Sequence, residues 1–478
     1  MKLIGDYIGD LRREFAGYGG TALRKDLLAG ITTGAVALPL AIAFGTSSGA
    51  DAAAGLIAAI VAAFVIGALS GASYQISGPT GAMAAILVPL SARYGLKAVF
   101  AASALAGVLL IAIGLFKMGK IVNLLPTAVI TGFTSGIALL IALGQVENLL
   151  GVKAEGENIL RKLWGLITER PTVNVHALVF GLVVTLFILL WPKQLNKKVP
   201  GSLVAVILAT AVQAVASFPV ETVGTIPQTL INETRLDLAY LTEPGLLDII
   251  LLPGVSIAML CLIESLLCGV VGGRMKGETM NADRELVAQG IGNLILPFMG
   301  GVPSTAAIAR TSVAIRSGAQ TRMTGIIHGV FLLAAMFLLG PLMADIPLSA
   351  LAGVLIVTAW RMNEWANIGY LFRRRFRGAI TKFAVTLAAT VIFDLTIAIA
   401  AGLVIAVVLF VLKMSNLDLT VSEFDPSRME EELELPMHVE VIYITGALFF
   451  GSVDRLEKGI GAAGAELVIL SMRGVPSV

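Results

Sequence analysis

Long apolar runs, separated by short polar or glycine- and proline-containing breaks, repeat along most of this 478-residue chain. Between about Asp26 and Asn416 most runs are long enough to cross a hydrocarbon core, which takes roughly 20 helical residues. The pattern predicts an all-α polytopic membrane protein with fourteen transmembrane segments. The predicted spans lie near 28–48, 52–70, 79–92, 97–116, 126–145, 174–192, 200–217, 250–271, 286–299, 304–317, 324–343, 347–362, 378–394 and 397–414.

The third and tenth spans are shorter than a full crossing, and each begins with residues that break helices. The third begins at Gly78-Pro79-Thr80-Gly81-Ala82 and the tenth at Val302-Pro303-Ser304-Thr305-Ala306. Each is therefore predicted to be a half-helix that reaches only the middle of the bilayer. Paired interrupted helices direct free backbone N–H groups, which carry a partial positive charge, at a midplane pocket. Such a pocket favours an anion.

The two halves of the chain also resemble each other. Pro126 and Pro347 open the fifth and twelfth spans and lie 221 residues apart, while Pro79 and Pro303 lie 224 apart. These near-equal separations predict a seven-span unit used twice, and an odd number of spans gives the copies opposite orientations. The loops after even-numbered spans are basic, which predicts an inner (plasma) membrane protein with both termini in the cytoplasm.

Composition excludes several functional classes. With 57% hydrophobic and 14% charged residues and a mean hydropathy of +0.89, the chain is not a soluble domain, and the lipid bilayer is an expected partner. The balance of 34 basic and 32 acidic residues argues against nucleic acid as a partner. Three histidines and two cysteines offer no basis for a metal site, and Cys261 and Cys268 are expected to pack inside a helix. We expect no cofactor and no enzymatic activity, because no nucleophile and base pair or nucleotide loop lies among the spans.

Two charged residues fall inside predicted spans. Glu264 lies in the middle of the eighth span, where a carboxylate usually faces a cavity, a partner or an ion path and is able to exchange a proton. Arg310 lies in the tenth. If that helix starts at Pro303, the arginine lies about 10 Å along it; if it starts nearer Ile308, the arginine falls in the first turn beside the pocket. The structural alternatives for Glu264 are an ion pair with Arg310 and a hydrogen bond to the amides of the broken helices. Those for Arg310 are the same ion pair and a side chain directed at the cytoplasmic membrane surface.

Smaller signals surround the first break. Thr80 offers a hydroxyl group and Gly81 permits close approach of the backbone, so uncharged groups can hold an anion there. Phe44, near the middle of the first span, is a candidate wall of the pocket, although packing is its default role. Asp283, Arg284 and Glu285 are predicted to form a solvated loop face.

The pattern changes towards the C-terminal end. Strand-like alternation begins near His438 and returns at Glu466–Met472, with a helical run between, which predicts the start of a soluble α/β domain truncated at Val478. The predicted organisation is a cytoplasmic N-terminus (1–25), a first seven-span repeat (26–217), an extracellular loop (218–249), a second seven-span repeat (250–416), a linker (417–436) and a partial α/β domain (437–478).

Several segments together carry a family resemblance. They are Asp26-Leu27-Leu28-Ala29-Gly30-Ile31-Thr32, Ala37-Leu38-Pro39, Ile76-Ser77-Gly78-Pro79-Thr80-Gly81, Glu285-Leu286-Val287-Ala288-Gln289-Gly290-Ile291-Gly292-Asn293 and Ala309-Arg310-Thr311-Ser312-Val313. With these residues, nearly the whole chain resembles the SulP family of anion permeases, which includes the solute-carrier-26 exchangers and prestin. The resemblance implies a core and a gate domain built from a seven-plus-seven inverted repeat, a homodimer, and a STAS domain at the C-terminal end.

The resemblance also implies a binding site. The anion would lie between the starts of the third and tenth helices, with Thr80 and Gly81 facing a group of three residues, and an aromatic residue would line the pocket. The three residues are Ile308, Ala309 and Arg310, and the aromatic residue is Phe44. This alignment favours the later start of the tenth helix, so that the proline repeat would be offset by about one turn. Glu264 falls where related permeases carry an acidic residue linked to the coupling ion. Leu40 stands where several animal members have a glutamine.

The sequence thus favours a secondary active transporter of a small anion (sulfate, bicarbonate or a dicarboxylate), coupled to protons through Glu264 and working by alternating access. A sodium-coupled bicarbonate importer is the nearest alternative, with Glu264 holding sodium. An anion channel, an exchanger without proton coupling, or a voltage-responsive motor would use the same pocket. Nucleobase permeases share the inverted architecture, but a buried arginine fits a neutral base poorly.

Overall fold

The computed structural model describes residues 2–119, 126–154, 159–196, 199–392, 404–405, 408, 418–423, 439–445, 456–457, 460 and 467–475. The helices of the first half are α1 (Lys2–Glu14), α2 (Gly20–Ser47), α3 (Ala52–Val61), α4 (Gly67–Leu69), α5 (Gly81–Leu115), α6 (Thr127–Gly144), α7 (Val146–Leu150), α8 (Ile159–Glu169), α9 (Val175–Leu190), α10 (Lys193–Asn196) and α11 (Gly201–Ala216). Those of the second half are α12 (Leu246–Lys276), α13 (Ala282–Met299), α14 (Ile308–Arg316), α15 (Met323–Met343), α16 (Leu348–Met362), α17 (Trp365–Arg373) and α18 (Arg377–Ile392).

Helices occupy thirteen of the fourteen predicted spans, and the last, 397–414, falls almost entirely outside the described residues. Within the described part of the chain, six helices are long and apolar enough to cross a membrane. The second span is made of α3, a π-helical turn (Ala62–Ile66) and α4. The third and fourth spans are joined in α5, where Gly95 interrupts the helix with a φ of +79°, a conformation that glycine adopts without steric cost.

The helices pack in two groups. In the first group, α5 packs against α12 and α13, and α2 packs against α3 and α15. In the second group, α6 packs against α18 and α16 packs against α9. The groups meet where α2 contacts α11 and α16 and where α5 contacts α6. The first group contains spans one to four and eight to eleven, and the second contains the remaining described spans.

Polar contacts at one end of the first group replace the predicted solvated loop face. Arg284 is 7% exposed and Glu285 is fully buried, so the prediction of a solvated face was wrong for both. Glu285 accepts hydrogen bonds from the Ser70 hydroxyl and the Gly71 N–H, and Arg284 forms an ion pair with Asp10 at 2.6 Å. A buried charge needs such partners, and here they come from distant parts of the chain.

The N-terminal helix α1 is attached to the same group. Arg322 forms an ion pair with Glu14 at 2.7 Å, and its Nη1 donates to the Ala68 carbonyl at 2.6 Å. The Tyr7 hydroxyl also donates to Ala68. The positively charged groups of Arg322 and Arg284 both lie 5.4 Å from the Tyr7 ring centre, within the range of cation–π attraction.

The polar segment between α11 and α12 contacts both groups of helices. Val223 and Gly224 donate backbone hydrogen bonds to Ile346 and Ala344, just before α16. Further along, Leu236 donates to the Pro297 carbonyl of α13. The Lys97 ammonium lies 2.9 Å from the neighbouring Asp237, and this hydrogen bond lowers the pKa of the aspartate. The segment therefore spans one end of the helix bundle.

Beyond the helices, three strands form a mixed sheet in the order β3-β4-β5. They are β3 (Asp418–Glu423), β4 (Val439–Thr445) and β5 (Leu467–Gly474); β1 and β2 are two short strands that are described with the site below. β3 runs antiparallel and β5 parallel to β4. β4 and β5 coincide with predicted strands. β3 falls within 417–436, the range assigned to a linker; Leu419 and Val421 alternate with polar residues there, which is the period of a strand.

Candidate anion-binding site

The two predicted helix breaks face each other and are joined by backbone pairing. Ser77–Gly78 forms a short strand, β1, that pairs in antiparallel orientation with Thr305–Ala306, β2. β1 is followed by α5 and β2 by α14, so two half-helices start on either side of this small sheet. The first turn of a helix leaves N–H groups without an acceptor in the helix, and these groups carry the positive end of the helix dipole.

α14 begins at Ile308, the later of the two starting points considered for the tenth span. The earlier start, near Pro303, was wrong because Thr305 and Ala306 are extended and paired with β1. Arg310 therefore lies in the first turn of α14, and no side chain caps that turn. The proline repeat is offset for the same reason, since Pro79 follows β1 whereas Pro303 precedes β2.

Arg310 links the two halves of the site. Its side chain is 2% exposed, and Nη2 donates to the carbonyl of Pro79 at 2.9 Å. Nη1 has no hydrogen-bond partner although it is buried. A buried guanidinium donor normally has an acceptor, so Arg310 keeps unused hydrogen-bonding capacity and a positive charge next to two helix N-termini, which favours an anion nearby.

Glu264 is connected to the other half-helix. The Thr80 hydroxyl donates to Oε2 of Glu264 at 3.1 Å, and the same hydroxyl accepts from the N–H of Met83 as the N-cap of α5. Glu264 is partly exposed, and no ion pair within 4 Å joins it to Arg310 among the described side chains. The carboxylate is therefore coupled to the start of α5 through a single hydroxyl group.

All seven residues named as site candidates line one cavity of about 1120 Å³, which we call the main cavity. They are Phe44, Thr80, Gly81, Glu264, Ile308, Ala309 and Arg310. Its walls come from both helix groups, and Leu40, Phe133 and Val354 make them largely apolar. Arg316, Arg361 and Glu364 also line it, at the end where α14 and α16 finish. The cavity is thus a largely apolar cleft with charged groups both at the helix starts and at the end where α14 and α16 finish.

A layer of polar side chains behind the cavity holds the two strands in place. Asn293 accepts from the Ser304 N–H and donates to the Ser304 carbonyl, both at 2.8 Å, and Gln289 donates to the Ser77 hydroxyl at 2.8 Å. The hydroxyl groups of Ser265 and Thr305 lie 2.9 Å apart. Sequence reasoning did not identify these supports, although positions 285, 289 and 293 are spaced by four and so lie on one helix face.

Gly78 is a further residue whose role emerges from the structure. A Cβ atom at this position would lie 2.5 Å from Nη1 of Arg310, so the guanidinium packs directly on the glycine. We expect Gly78→Ala to displace the guanidinium from Pro79 and to lower anion uptake about tenfold, equivalent to about 1.4 kcal/mol. Uptake into proteoliposomes containing the purified protein measures the effect.

The matched control is Gly325→Ala, because the nearest atom to a Cβ there is Ile76 Cδ1 at 3.8 Å, an ordinary contact beside the same strand. This variant should keep its uptake. Gly78 has a φ of +155°, so some loss of thermal stability is expected in Gly78→Ala. Equal uptake by the two variants at equal folded amounts would refute the proposed packing role.

Opposed half-helices at the closed end of a cavity between two groups of membrane helices define a polytopic membrane transporter rather than an enzyme. The family model described as "Sulfate permease family" matches residues 23–386. The chain belongs to the sulfate permease family, and it is an anion transporter of that family.

Two relatives illustrate the range of the family. YvdB of Bacillus subtilis, described as a candidate sulfate transporter, is 38% identical over 94% of this chain and 84% of its own length. The bicarbonate transporter BicA of Picosynechococcus is 32% identical over 95% of this chain and 84% of its own length.

Solved structures show the same fold. The transmembrane domain of a cyanobacterial bicarbonate transporter BicA aligns with a TM-score of 0.72 at 30% identity, covering 82% of this chain and 98% of that one. SLC26A9 aligns with a TM-score of 0.82 at 16% identity, covering 97% and 82%, which shows the fold alone. The seven-plus-seven inverted repeat predicted from the sequence is the fold of these proteins and of this chain.

Proposed function

We propose that this chain is a secondary active transporter that moves sulfate, bicarbonate or a dicarboxylate together with a proton, by alternating access. The observation that carries the proposal is the unpartnered Nη1 of Arg310 at the uncapped start of α14, directly opposite the start of α5. A full positive charge added to two helix dipoles suits a divalent or carboxylate-bearing anion. Thr80, Gly81, Ile308 and Ala309 supply backbone and hydroxyl contacts, and Phe44 forms a wall.

In this proposal Glu264 carries the coupling proton. It lines the cavity that holds the anion and is hydrogen-bonded to Thr80 of the first half-helix. A negatively charged Glu264 repels an incoming anion, whereas a protonated one does not, because like charges at short range in a poorly solvated site destabilise each other. Anion and proton therefore favour each other's binding, which is the thermodynamic requirement for symport.

The test is uptake of labelled sulfate, bicarbonate and dicarboxylates into proteoliposomes, with the pH gradient and the sodium gradient imposed separately. We expect an inwardly directed proton gradient to drive accumulation of one of these anions, and a sodium gradient alone to have no effect. Sodium-driven uptake that ignores the pH gradient would overturn proton coupling. No uptake of any anion in the panel under either gradient would overturn the whole proposal.

A sodium-coupled bicarbonate importer is the second candidate, and the similarity to a protein named as a bicarbonate transporter favours it. In that case Glu264 holds sodium in place of a proton, and the same experiment distinguishes the two ions. A channel, or an exchanger without proton coupling, would instead give anion flux that neither gradient drives.

The arrangement in the cell is part of the proposal. We place the protein in the plasma (inner) membrane as a homodimer, with both termini in the cytoplasm. The basic loops after even-numbered spans support this orientation. The main cavity then opens towards the cytoplasm, because Arg316 and Arg361 at its mouth stand near the ends of the tenth and twelfth spans. The helix group of α2, α5, α12 and α14 is proposed as the core domain, and that of α6, α9, α11 and α16 as the gate domain.

A further inference from the structure

A second, smaller cavity of about 240 Å³ reaches the same site from the opposite direction. Along α2, the main cavity is lined by Thr32, Val36, Leu40 and Phe44, whereas the second cavity is lined by Phe44, Thr46 and Ser47. The order is the same along α6, where Phe133 and Thr134 line the main cavity and the stretch from Leu140 to Gln145 contributes to the second. The two cavities therefore lie at opposite ends of the helix bundle.

Among the residues that the structure describes, Phe44 and Gly81 line both cavities. A Cβ atom on Gly81 would overlap the Cδ1 atom of Ile141 and would lie 2.9 Å from Cε1 of Phe44. The side chains of Ile141 and Phe44 thus close over the glycine, and they are 6% and 5% exposed. Where the two cavities share their lining, the barrier between them is therefore apolar.

We propose that Ile141 is the residue that closes the second cavity off from the anion site, and that the second cavity is the other access path of the transporter. The proposal rests on the function proposed above. Phe44 and Gly81 belong to the helix group of α2 and α5, whereas Ile141 belongs to that of α6, so displacement of one group against the other would separate them. A narrow apolar constriction excludes water and ions until it widens.

The lining of the second cavity suits an access path for an anion. It is more polar than the barrier, since Thr46, Ser47, Gln145 and Asn148 contribute to it. Lys162 of α8 also lines it and forms an ion pair with Glu147 at 2.9 Å. Ile159, Leu163 and Leu166 from the same helix cover the cavity, so α8 forms its roof.

Cysteine labelling tests the barrier without requiring transport. Thr134 is replaced by cysteine because it lines the main cavity on the far side of Ile141. The native Cys261 and Cys268 are fully buried, so the introduced cysteine is the one to be labelled. A membrane-impermeant maleimide is added from the side of the second cavity. We expect slow labelling of Thr134→Cys alone and a rate at least about tenfold higher when Ile141→Ala is added, equivalent to a barrier lowered by about 1.4 kcal/mol.

The matched control is Ile137→Ala, one helical turn away, which removes the same atoms from a fully buried residue outside both cavities. It should leave the labelling rate unchanged. If Ile141→Ala does not fold, Ile141→Val tests the same point with a smaller increase. An unchanged rate in the folded Ile141 variant, or an equal increase with Ile137→Ala, would overturn the proposal. If the chain fails to transport anions while the labelling pattern holds, the function proposed above fails and the barrier stands.

Discussion

Replacement of Arg310 by glutamine should lower anion uptake by about 100-fold or more. Glutamine removes the positive charge and the planar donor group from the first turn of α14, where the guanidinium lines the main cavity and Nη1 has no hydrogen-bond partner. Hydrogen bonds to charged groups contribute about 1.5–3 kcal/mol each, and about 1.4 kcal/mol corresponds to a factor of ten in binding. Uptake of the transported anion into proteoliposomes, over a range of concentrations, measures the loss as a higher KM or a lower maximal rate.

Arg310→Lys separates charge from geometry. Lysine keeps the charge but cannot reach both Pro79 and an anion through a planar group, so partial activity with a raised KM is expected. The thermal stability of each variant in detergent shows whether it is folded, which matters because removal of a buried guanidinium leaves the Pro79 carbonyl without a partner. Wild-type uptake by a folded Arg310→Gln protein would remove the basis of the proposed site.

The second large effect is expected from Glu264→Gln, which should abolish acceleration of uptake by a proton gradient. Glutamine can still accept the hydrogen bond from Thr80 but cannot take up or release a proton. Residual uptake should be independent of pH, since the remaining side chain mimics the protonated state. The measurement is the ratio of initial uptake rates with and without an imposed pH gradient, which should fall to about one.

Glu285→Gln provides the matched control for this experiment. Glu285 is a second carboxylate of the same helix group, but it is fully buried, is bonded to Ser70, Gly71 and Gln289, and does not line the main cavity. Its replacement should preserve the ratio of rates, even if the total uptake falls. A ratio that stays at the wild-type value in Glu264→Gln, or that is lost in Glu285→Gln alone, would show that Glu264 does not carry the proton.

The sequence predicted the membrane fold because its strongest signals are local. Hydrophobic length located the spans, and Pro79 and Pro303 marked the interruptions before the third and tenth spans within a few residues. The start of α14 was harder to place, since Pro303 is a common residue at a helix start, whereas the extended conformation of Thr305 and Ala306 depends on pairing with a strand about 230 residues earlier. That pairing is not visible in local patterns.

The same limitation applies to charges and short helices. Arg284 and Glu285 looked like loop residues because their partners, Asp10 and Ser70, lie far away in the sequence. The amphipathic helices α1 and α8 are too short and too polar to resemble spans, so hydrophobic length did not find them. Glu264 and Arg310 were found because charge inside an apolar span is unusual, Thr80 and Gly81 because they stand at a helix break, and Ile308 and Ala309 through the family resemblance. The unpartnered donor on Arg310 and the packing of Gly78 depend on contacts between distant parts of the chain.

The pairing of β1 with β2 has a consequence for how cargo is carried. Because backbone hydrogen bonds join the two strands, and Arg310 reaches across to Pro79, both halves of the cradle form one mechanical piece. A rigid unit of this kind moves without changing its own geometry, so its contacts with the bound anion are the same on either side of the membrane. Once voltage and the coupling ion are held equal, the intrinsic dissociation constant of the anion should therefore be similar in the inward-facing and the outward-facing state.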